Sequence, residues 1–146
     1  MCNEVTGSVY LVDDDEDDRI IFAEVFSETA PSVDLKLVKS GAELAKILCE
    51  DLLPVPDVIF LNVNMPIKNG FDCLKEIRDR SDNLRSLRII MFSTSNNPDT
   101  VNTARELGAD FYAVKPTSYF DLKSLIIKVL SIDWTAGSGK IPFKLN

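Results

Sequence analysis

Four short runs of apolar and aromatic residues, each followed at once by polar residues, constrain the fold of this chain most. They are VYLV at 9–12, VIFL at 58–61, IIMF at 89–92 and FYAV at 111–114. Runs of this length without polar alternation are typical of strands that are buried on both faces of a sheet. A fifth run, LKLV at 35–38, alternates leucine with lysine and predicts an edge or half-buried strand.

Segments with helical spacing separate these five strands. Apolar residues recur with a helical period over 17–29, and Ser40 with Glu43 predicts a capped helix start before the apolar residues of the second helix. Further helices are predicted through 71–77, near 100–107 and over 119–130. Five repeats of strand followed by helix predict an α/β domain with a parallel sheet covered by helices on both faces.

Length and composition limit what this domain can do. The 146 residues suffice for one domain with a buried core, which we assign to 1–132. We expect 133–146, which contain TAGSGKIPFKLN, to be a tail without an output domain, either loose or a strap. A net charge of −7 with scattered Lys and Arg argues against nucleic-acid binding. No apolar run approaches the roughly 18 residues of a membrane span, and no signal peptide begins the chain, which predicts a cytoplasmic protein.

Histidine and cysteine usage narrows the chemistry further. The chain has no histidine, which excludes histidine-based catalysis and a phosphotransfer histidine of its own. Cys49 and Cys73 fall within helical patterns and are predicted to be small buried hydrophobes rather than metal ligands.

Polar residues follow the strands at the sheet edge where parallel α/β folds bind ligands. They are Asp13, Asp14 and Asp15 after the first strand, Asn62 after the third, Ser93 after the fourth and Lys115 after the fifth. Adjacent carboxylates suit Mg²⁺, while a hydroxyl and a lysine suit a phosphoryl group. Position 62 is central but holds an amide, which is not a nucleophile. The site therefore has the parts for phosphoryl chemistry and lacks a carboxylate acceptor.

Four motifs in order, LVDDDEDDR, NMPIKNG, FSTS and YAVKP, resemble those of response-regulator receiver domains of two-component signalling, over about 9–130. The resemblance implies a stand-alone receiver from a bacterial phosphorelay with the flavodoxin-like strand order 2-1-3-4-5. It implies that Asp13, Asp14 and the backbone carbonyl of Asn64 bind Mg²⁺. The other implied positions are the phosphoacceptor at Asn62, the catalytic lysine at Lys115, the catalytic and switch hydroxyl at Ser93 and the switch aromatic at Tyr112.

The same resemblance implies the partners. A sensor histidine kinase or phosphotransfer protein would act on the site, and a downstream protein would contact the face of the fourth helix, fifth strand and fifth helix. Because Asn62 replaces the family's acceptor aspartate, we expect no phosphorylation of the chain as written and weakened Mg²⁺ binding. A laboratory substitution and a natural loss of the acceptor both explain Asn62.

An enzyme of the haloacid-dehalogenase phosphatase type is the alternative, since that family also begins with a strand that ends in Asp-x-Asp. Asp13 would then be the nucleophile and Asp15 the acid/base. Asp17 stands where that family has Thr or Val, and the NMPIKNG loop has no role in that scheme. A flavin-binding module is disfavoured because DDDEDD has the wrong charge for a phosphate loop.

Overall fold

Five parallel strands and five helices make up most of the residues described by the computed structural model, which are 7–50, 55–134 and 141–146. The strand order is β2-β1-β3-β4-β5, as predicted. The strands are β1 (Ser8–Val12), β2 (Asp34–Val38), β3 (Val58–Asn62), β4 (Ile89–Ser93) and β5 (Phe111–Val114). The helices are α1 (Glu16–Thr29), α2 (Gly41–Glu50), α3 (Gly70–Arg78), α4 (Pro98–Glu106) and α5 (Tyr119–Leu130).

Alternate side chains of the central strands enter two separate cores, one on each face of the sheet. In β3, Val58 and Phe60 pack into the core shared with α1 and α5. Ile59 and Leu61 point the other way, into the core shared with α2, α3 and α4. This period of two within an unbroken apolar run confirms that β3 is buried on both faces. The half-exposed strand β2 lies at one edge, also as predicted.

Helix starts follow the capping residues in the sequence. The Ser40 hydroxyl accepts a hydrogen bond from the Glu43 amide at 3.1 Å, while the Glu43 carboxylate accepts from the amide of Lys39 rather than that of Ser40. Helix α4 begins at Pro98, earlier than the predicted region near 100–107. The Asn97 side chain caps it, and proline is favourable at the first helical position.

One local prediction was wrong, and one short element was not predicted. Cys73 is buried, as expected, but Cys49 is exposed, so its prediction as a core residue was wrong. Helix α2 buries a stripe that includes Ile47 and Leu48, and the next residue lies about 100° further round the helix. A short 3-10 helix, Asn83–Ser86, was not predicted.

Residues 141–146 lie against β5 and are called the C-terminal strap below. Lys144 forms an isolated parallel bridge with Tyr112. Of the two expectations for the tail, the strap therefore holds for these six residues, while 135–140 lie outside the described residues. Within the described ranges, no helix is long and apolar enough to cross a membrane.

Candidate functional site

The side chains predicted to form the site converge at the carboxyl ends of β1, β3 and β5. Asp13 directly follows β1 and is 1% exposed, and Asn62 ends β3 and is 4% exposed. Lys115 directly follows β5, and its Nζ lies 2.9 Å from Oδ2 of Asp13. These three strands end at the same level because they run parallel and the pairs β1–β3, β3–β4 and β4–β5 stay in register.

The Asn62 amide group lies at the centre of this site. Its Nδ2 donates a hydrogen bond to the backbone carbonyl of Asn64 at 2.8 Å. The same nitrogen lies 3.4 Å from Oδ1 of Asp13 and 3.4 Å from Oδ1 of Asp14, as a longer donor to both carboxylates. Three oxygen atoms, two of them anionic, thus surround one electropositive NH₂ group.

Lys115 forms ion pairs with Asp13 at the end of β1 and with Asp18 in the first turn of α1. Its Nζ contacts Asp13 at 2.9 Å and Asp18 at 3.1 Å. Burial raises the pKa of the Asp13 carboxyl above its usual range, opposed by hydrogen bonds from Lys115 and the Asp15 amide. Burial lowers the pKa of Lys115, but its bonds to Asp13 and Asp18 outweigh this effect and the pKa lies above its usual value. We take ammonium and carboxylate as the state of the pair, because Nζ binds both acids directly.

The oxygen atoms around Asn62 Nδ2 are the ones that the resemblance assigns to Mg²⁺, namely those of Asp13, Asp14 and the Asn64 carbonyl. Oxygen ligands of this kind suit a hard divalent cation. They reach one common point, as the three contacts of Nδ2 show. The donor set therefore fits a cation, on the condition that the Asn62 amide turns so that its oxygen rather than its NH₂ group faces the ion. The described residues contain no group of three or more His, Cys, Asp or Glu side chains that could hold a metal.

Ser93 and Tyr112 lie on the other side of the rim. Ser93 is fully buried at the end of β4, and its hydroxyl accepts a hydrogen bond from the Ser95 amide at 3.1 Å. Its carbonyl accepts from the Lys115 amide at 2.7 Å, which connects it to the lysine through the backbone. Tyr112 in β5 is fully buried, and its hydroxyl donates to the Ser95 carbonyl at 2.7 Å. Ser95 is thus the link between these two residues.

Two residues near the site were not predicted to belong to it. Asp18 was interpreted only as a favourable acid at a helix N-terminus, yet it contacts Lys115. Arg19 donates from Nη1 to the Asp13 carbonyl at 2.9 Å. Only residues 13–15 separate β1 from α1, so this short connection keeps the first turn of α1, which carries Asp18, near the strand end. The role of Asp15 is local, because its side chain caps α1 by accepting from the Asp18 amide.

The loop after β3 approaches Asn62 closely. A Cβ atom at Gly70 would lie 2.2 Å from the Asn62 carbonyl oxygen, so only glycine fits there without a shift of the backbone. The Gly70 amide donates to Val63 at 2.9 Å, which fastens the start of α3 to the strand end. In the same loop, Ile67 is fully exposed and has φ of 68°, a left-handed conformation that β-branched residues rarely adopt.

A cleft of about 250 Å³ opens beside the acidic pocket, between α1 and the start of α5. Asp13, Asp18 and Lys115 line its polar side, and Ile21 and Tyr119 line its apolar side. Ile21 and Tyr119 are about half exposed, so the cleft gives the site an apolar rim.

Comparison with known proteins agrees with this geometry. Residues 9–127 match the family described as response regulator receiver domain. The nitrate/nitrite response regulator protein NarL of Escherichia coli is 35% identical over 122 residues, which are 84% of this chain and 54% of NarL. The chain therefore spans about half the length of that relative. Response regulator Rcp1 of Synechocystis is 27% identical, over 81% of this chain and 82% of Rcp1.

Solved structures show the same fold. The crystal structure of the Mn²⁺-bound form of Rcp1 has a TM-score of 0.75 at 27% identity, covering 87% of this chain and 93% of that one. Response regulator RPA3017, described in red light signaling of R. palustris, has a TM-score of 0.75 at 26% identity, covering 84% and 90%. The family match covers most of the chain, and the strand order is the one that the family resemblance implied. This chain belongs to the response regulator receiver domains of two-component signalling.

Proposed function

We propose that this receiver domain acts through protein contacts in a single, unphosphorylated state, because Asn62 stands at its phosphoacceptor position. The observation that carries the proposal is the amide of Asn62, whose NH₂ group faces Asp13, Asp14 and the Asn64 carbonyl. Receiver domains interact with histidine kinases or phosphotransfer proteins. A carboxamide nitrogen is a poor nucleophile, so the phosphoryl group of such a partner has no acceptor at the centre of this site.

The remaining site residues keep the roles that the resemblance implies. Receiver domains bind Mg²⁺ or Mn²⁺, and here Asp13, Asp14 and the Asn64 carbonyl would hold Mg²⁺. Bound Mg²⁺ would neutralise charge on a phosphoryl group. Lys115 would hold a second phosphoryl oxygen as a point charge, and Ser93 a third by a hydrogen bond. The pairing of Lys115 with Asp13 and Asp18 supports this role, because it holds the ammonium group within the pocket.

Binding of Mg²⁺ should be weak in this chain. The binding site carries one negative charge fewer than it would with an aspartate at position 62. It also has to displace the amide from its hydrogen bonds to Asn64 and the two acids. Both effects oppose binding, since Mg²⁺ gives up its own waters reluctantly.

Output is proposed to pass through the face formed by α4, β5 and α5. Tyr112 supports this, because its backbone lies in β5 and its hydroxyl reaches the loop between β4 and α4 at Ser95. We assign 1–132 to the receiver domain and 133–146 to a tail attached to it, and we propose a bacterial, cytoplasmic pathway with no nucleic-acid or membrane contact by this chain.

Intact mass after incubation with acetyl phosphate and Mg²⁺ tests the acceptor assignment. The native chain should remain unmodified, and Asn62→Asp should gain one phosphoryl group. Asn64→Asp is the matched control, because it adds the same charge in the same loop without restoring the acceptor. It should stay unmodified as well.

Modification of the native chain would show that another acid, Asp13 or Asp14, accepts the phosphoryl group, and would overturn the proposal. Failure of Asn62→Asp to react would show that more than position 62 separates this site from a working one. Peptide mapping of any modified species identifies the residue and separates these outcomes.

The phosphatase alternative finds less support in the geometry. Its nucleophile would be Asp13, which is 1% exposed and bonded through Oδ2 to Lys115 and through Oδ1 to the Asp15 amide. Its acid/base, Asp15, serves as the N-cap of α1. Turnover of a generic phosphomonoester by the native chain would favour that alternative, whereas we expect none.

A further inference from the structure

The C-terminal strap covers the outer edge of β5 with backbone hydrogen bonds. The Tyr112 amide donates to the Phe143 carbonyl at 2.9 Å, and the Leu145 amide donates to the Tyr112 carbonyl at 2.8 Å. These two bonds are those of a parallel ladder centred on Lys144. The strap thus behaves as one step of a sixth strand added to the edge of the sheet.

The Asn146 side chain continues this ladder. Its Oδ1 accepts from the Val114 amide at 2.8 Å, and its Nδ2 donates to the Val114 carbonyl at 2.8 Å. The carboxamide therefore imitates a backbone peptide unit. Between them, the strap backbone and Asn146 satisfy both polar groups of Tyr112 and both of Val114, the groups that an uncovered edge would expose.

Side chains of the strap reach both sides of the sheet edge. Phe143 packs against the core on the α4 side, where the Arg105 guanidinium lies 4.8 Å from its ring centroid. Leu145 is 5% exposed and packs into the core on the α5 side. Lys128 of α5 donates to the Leu145 carbonyl at 2.7 Å. The strap therefore contacts α4, β5 and α5, the three elements of the proposed output face.

These contacts define what kind of ligand the face accepts. The β5 edge supplies main-chain donors and acceptors for an extended segment, which is how sheet edges recognise peptides by strand addition. The two cores supply apolar surface for side chains two residues apart, here Phe143 and Leu145. Arg105 provides a cation for an aromatic ring, and Val114 provides a paired donor and acceptor for a carboxamide.

We propose that the outer edge of β5, with the adjoining sides of α4 and α5, is a docking site for an extended peptide segment, occupied in cis by the strap. A partner protein docks by displacing the strap with an extended segment of the same chemistry: an aromatic residue, a leucine two residues on, and then an asparagine. This proposal rests on the proposed function in taking the α4–β5–α5 face as the surface for output.

Occupation of the site by the strap lowers the apparent affinity for any competing segment. A segment tethered by a short linker has an effective concentration on the order of millimolar at its own site. The apparent affinity of a competing segment falls in proportion to the fraction of molecules whose site is open. A strap that binds its site with a Kd of about 0.1 mM leaves roughly one molecule in ten open at this effective concentration, so its release should raise the affinity for a partner segment about tenfold.

Binding of a labelled synthetic peptide to the 146-residue chain tests the site. The probe is KIPFKLN, the sequence of 140–146, followed by fluorescence anisotropy, with a scrambled peptide of the same composition as control. The double variant Phe143→Ser/Leu145→Ser removes the apolar anchors of the strap, and Lys144→Gln is the matched control within it. The double variant should bind the probe about tenfold or more tighter than the native chain, while Lys144→Gln behaves like the native chain.

Amide hydrogen exchange tests whether the probe binds at the edge of β5. In the double variant the Tyr112 and Val114 amides should exchange faster than in the native chain, and the probe should restore their protection. Asn146→Ala is a milder release that removes only the two bonds to Val114, and should give an intermediate gain in affinity. Lys128→Met on the double-variant background should weaken the probe, because it removes the donor to the peptide carbonyl.

Three results would overturn the proposal. They are protected Tyr112 and Val114 amides in the double variant without probe, exposed amides with no binding, and equal binding of the scrambled peptide. None of these measurements involves a phosphodonor or a kinase. A failure here therefore leaves the acetyl phosphate result intact, and a failure there leaves the peptide result intact.

Discussion

Replacement of the Asn62 amide by a carboxylate should destabilise the metal-free chain and make it respond to Mg²⁺. In Asn62→Asp, an anionic oxygen takes the place of Nδ2, which lies 3.4 Å from Oδ1 of Asp13 and 3.4 Å from Oδ1 of Asp14. Two like charges 4 Å apart repel by about 4 kcal/mol at an effective dielectric of 20 and by about 1 kcal/mol in water. Asp13 is buried, so its repulsion with a carboxylate at position 62 lies near the upper value. Asp14 is exposed, so its repulsion with that carboxylate lies near the lower value.

The lost hydrogen bond adds to this repulsion. The amide donates to the Asn64 carbonyl at 2.8 Å, and a carboxylate cannot. Such a bond is worth roughly 1 kcal/mol, while rotation of the new side chain and the nearby Lys115 ammonium relieve part of the repulsion. We therefore expect a loss of about 2–4 kcal/mol in the free energy of unfolding. At about 2–4 °C per kcal/mol for a domain near this size, the melting temperature should fall by roughly 5–15 °C.

Thermal melts of the native chain and Asn62→Asp, with and without Mg²⁺, measure both effects. A ligand present at 100 times its Kd stabilises the folded state by about 2.7 kcal/mol, so saturating Mg²⁺ should recover most of the loss in Asn62→Asp. The native chain should shift much less. Asn64→Asp, which adds a charge in the same loop, should show neither the large loss nor the large recovery. Equal melting temperatures without Mg²⁺, or equal Mg²⁺ shifts in the two proteins, would refute the prediction that a carboxylate at position 62 destabilises the metal-free chain and strengthens Mg²⁺ binding.

Three further perturbations test the surroundings of the site. Gly70→Ala places a Cβ atom 2.2 Å from the Asn62 carbonyl oxygen and should cost about 1–3 kcal/mol by chemical denaturation; an unchanged midpoint would contradict this packing. Ile67→Asn should stabilise the chain by about 1 kcal/mol, since asparagine tolerates the left-handed φ of 68°, while Ile67→Val should not. Burial raises the pKa of the Cys73 thiol from 9.0 to about 11. The folded state then holds a proton that the unfolded state loses, so stability falls by up to about 3 kcal/mol between those pH values. Cys73→Ala should lack this part of the alkaline loss, and identical pH profiles would be the contrary result.

The fold was predictable because its signals are local and agree with one another. Strands β1, β3 and β4 are apolar on both faces, so they read as unbroken runs and could be placed within one residue at either end. Cys49 shows the limit of pattern reading. The apolar residues of α2 suggested that the thiol next to them is also buried. Cys49 is exposed because α2 packs against the core with the side that carries Ile47 and Leu48.

Side-chain partners across the sheet were less predictable than strand order. Lys115 and Asp13 were predicted to lie at the same rim because each follows a parallel strand, but their direct ion pair was not predicted. The second bond of Lys115, to Asp18, depends on how far the first turn of α1 leans over the rim, which the sequence does not state. The strap is a similar case. IPFKLN alternates apolar with other residues, but it has only six residues and includes a proline, so the sequence left a strap and a loose tail both open. Two of its four bonds to β5 come from the Asn146 side chain, which a backbone pattern does not reveal.

Asn62 at the end of the central strand β3 and Asn146 beside the edge strand β5 show why a sequence reveals less than a structure at such positions. A carboxamide carries a donor and an acceptor on one plane, so it can replace whatever group its surroundings lack. At Asn146 it replaces a peptide unit beside Val114, and at Asn62 its NH₂ group lies where three oxygen atoms converge. The sequence shows only that position 62 holds an amide among acidic neighbours. The arrangement of Asp13, Asp14 and the Asn64 carbonyl adds that the amide nitrogen lies where their oxygen atoms converge, and this is why we expect an acid at position 62 to make the folded chain depend on metal.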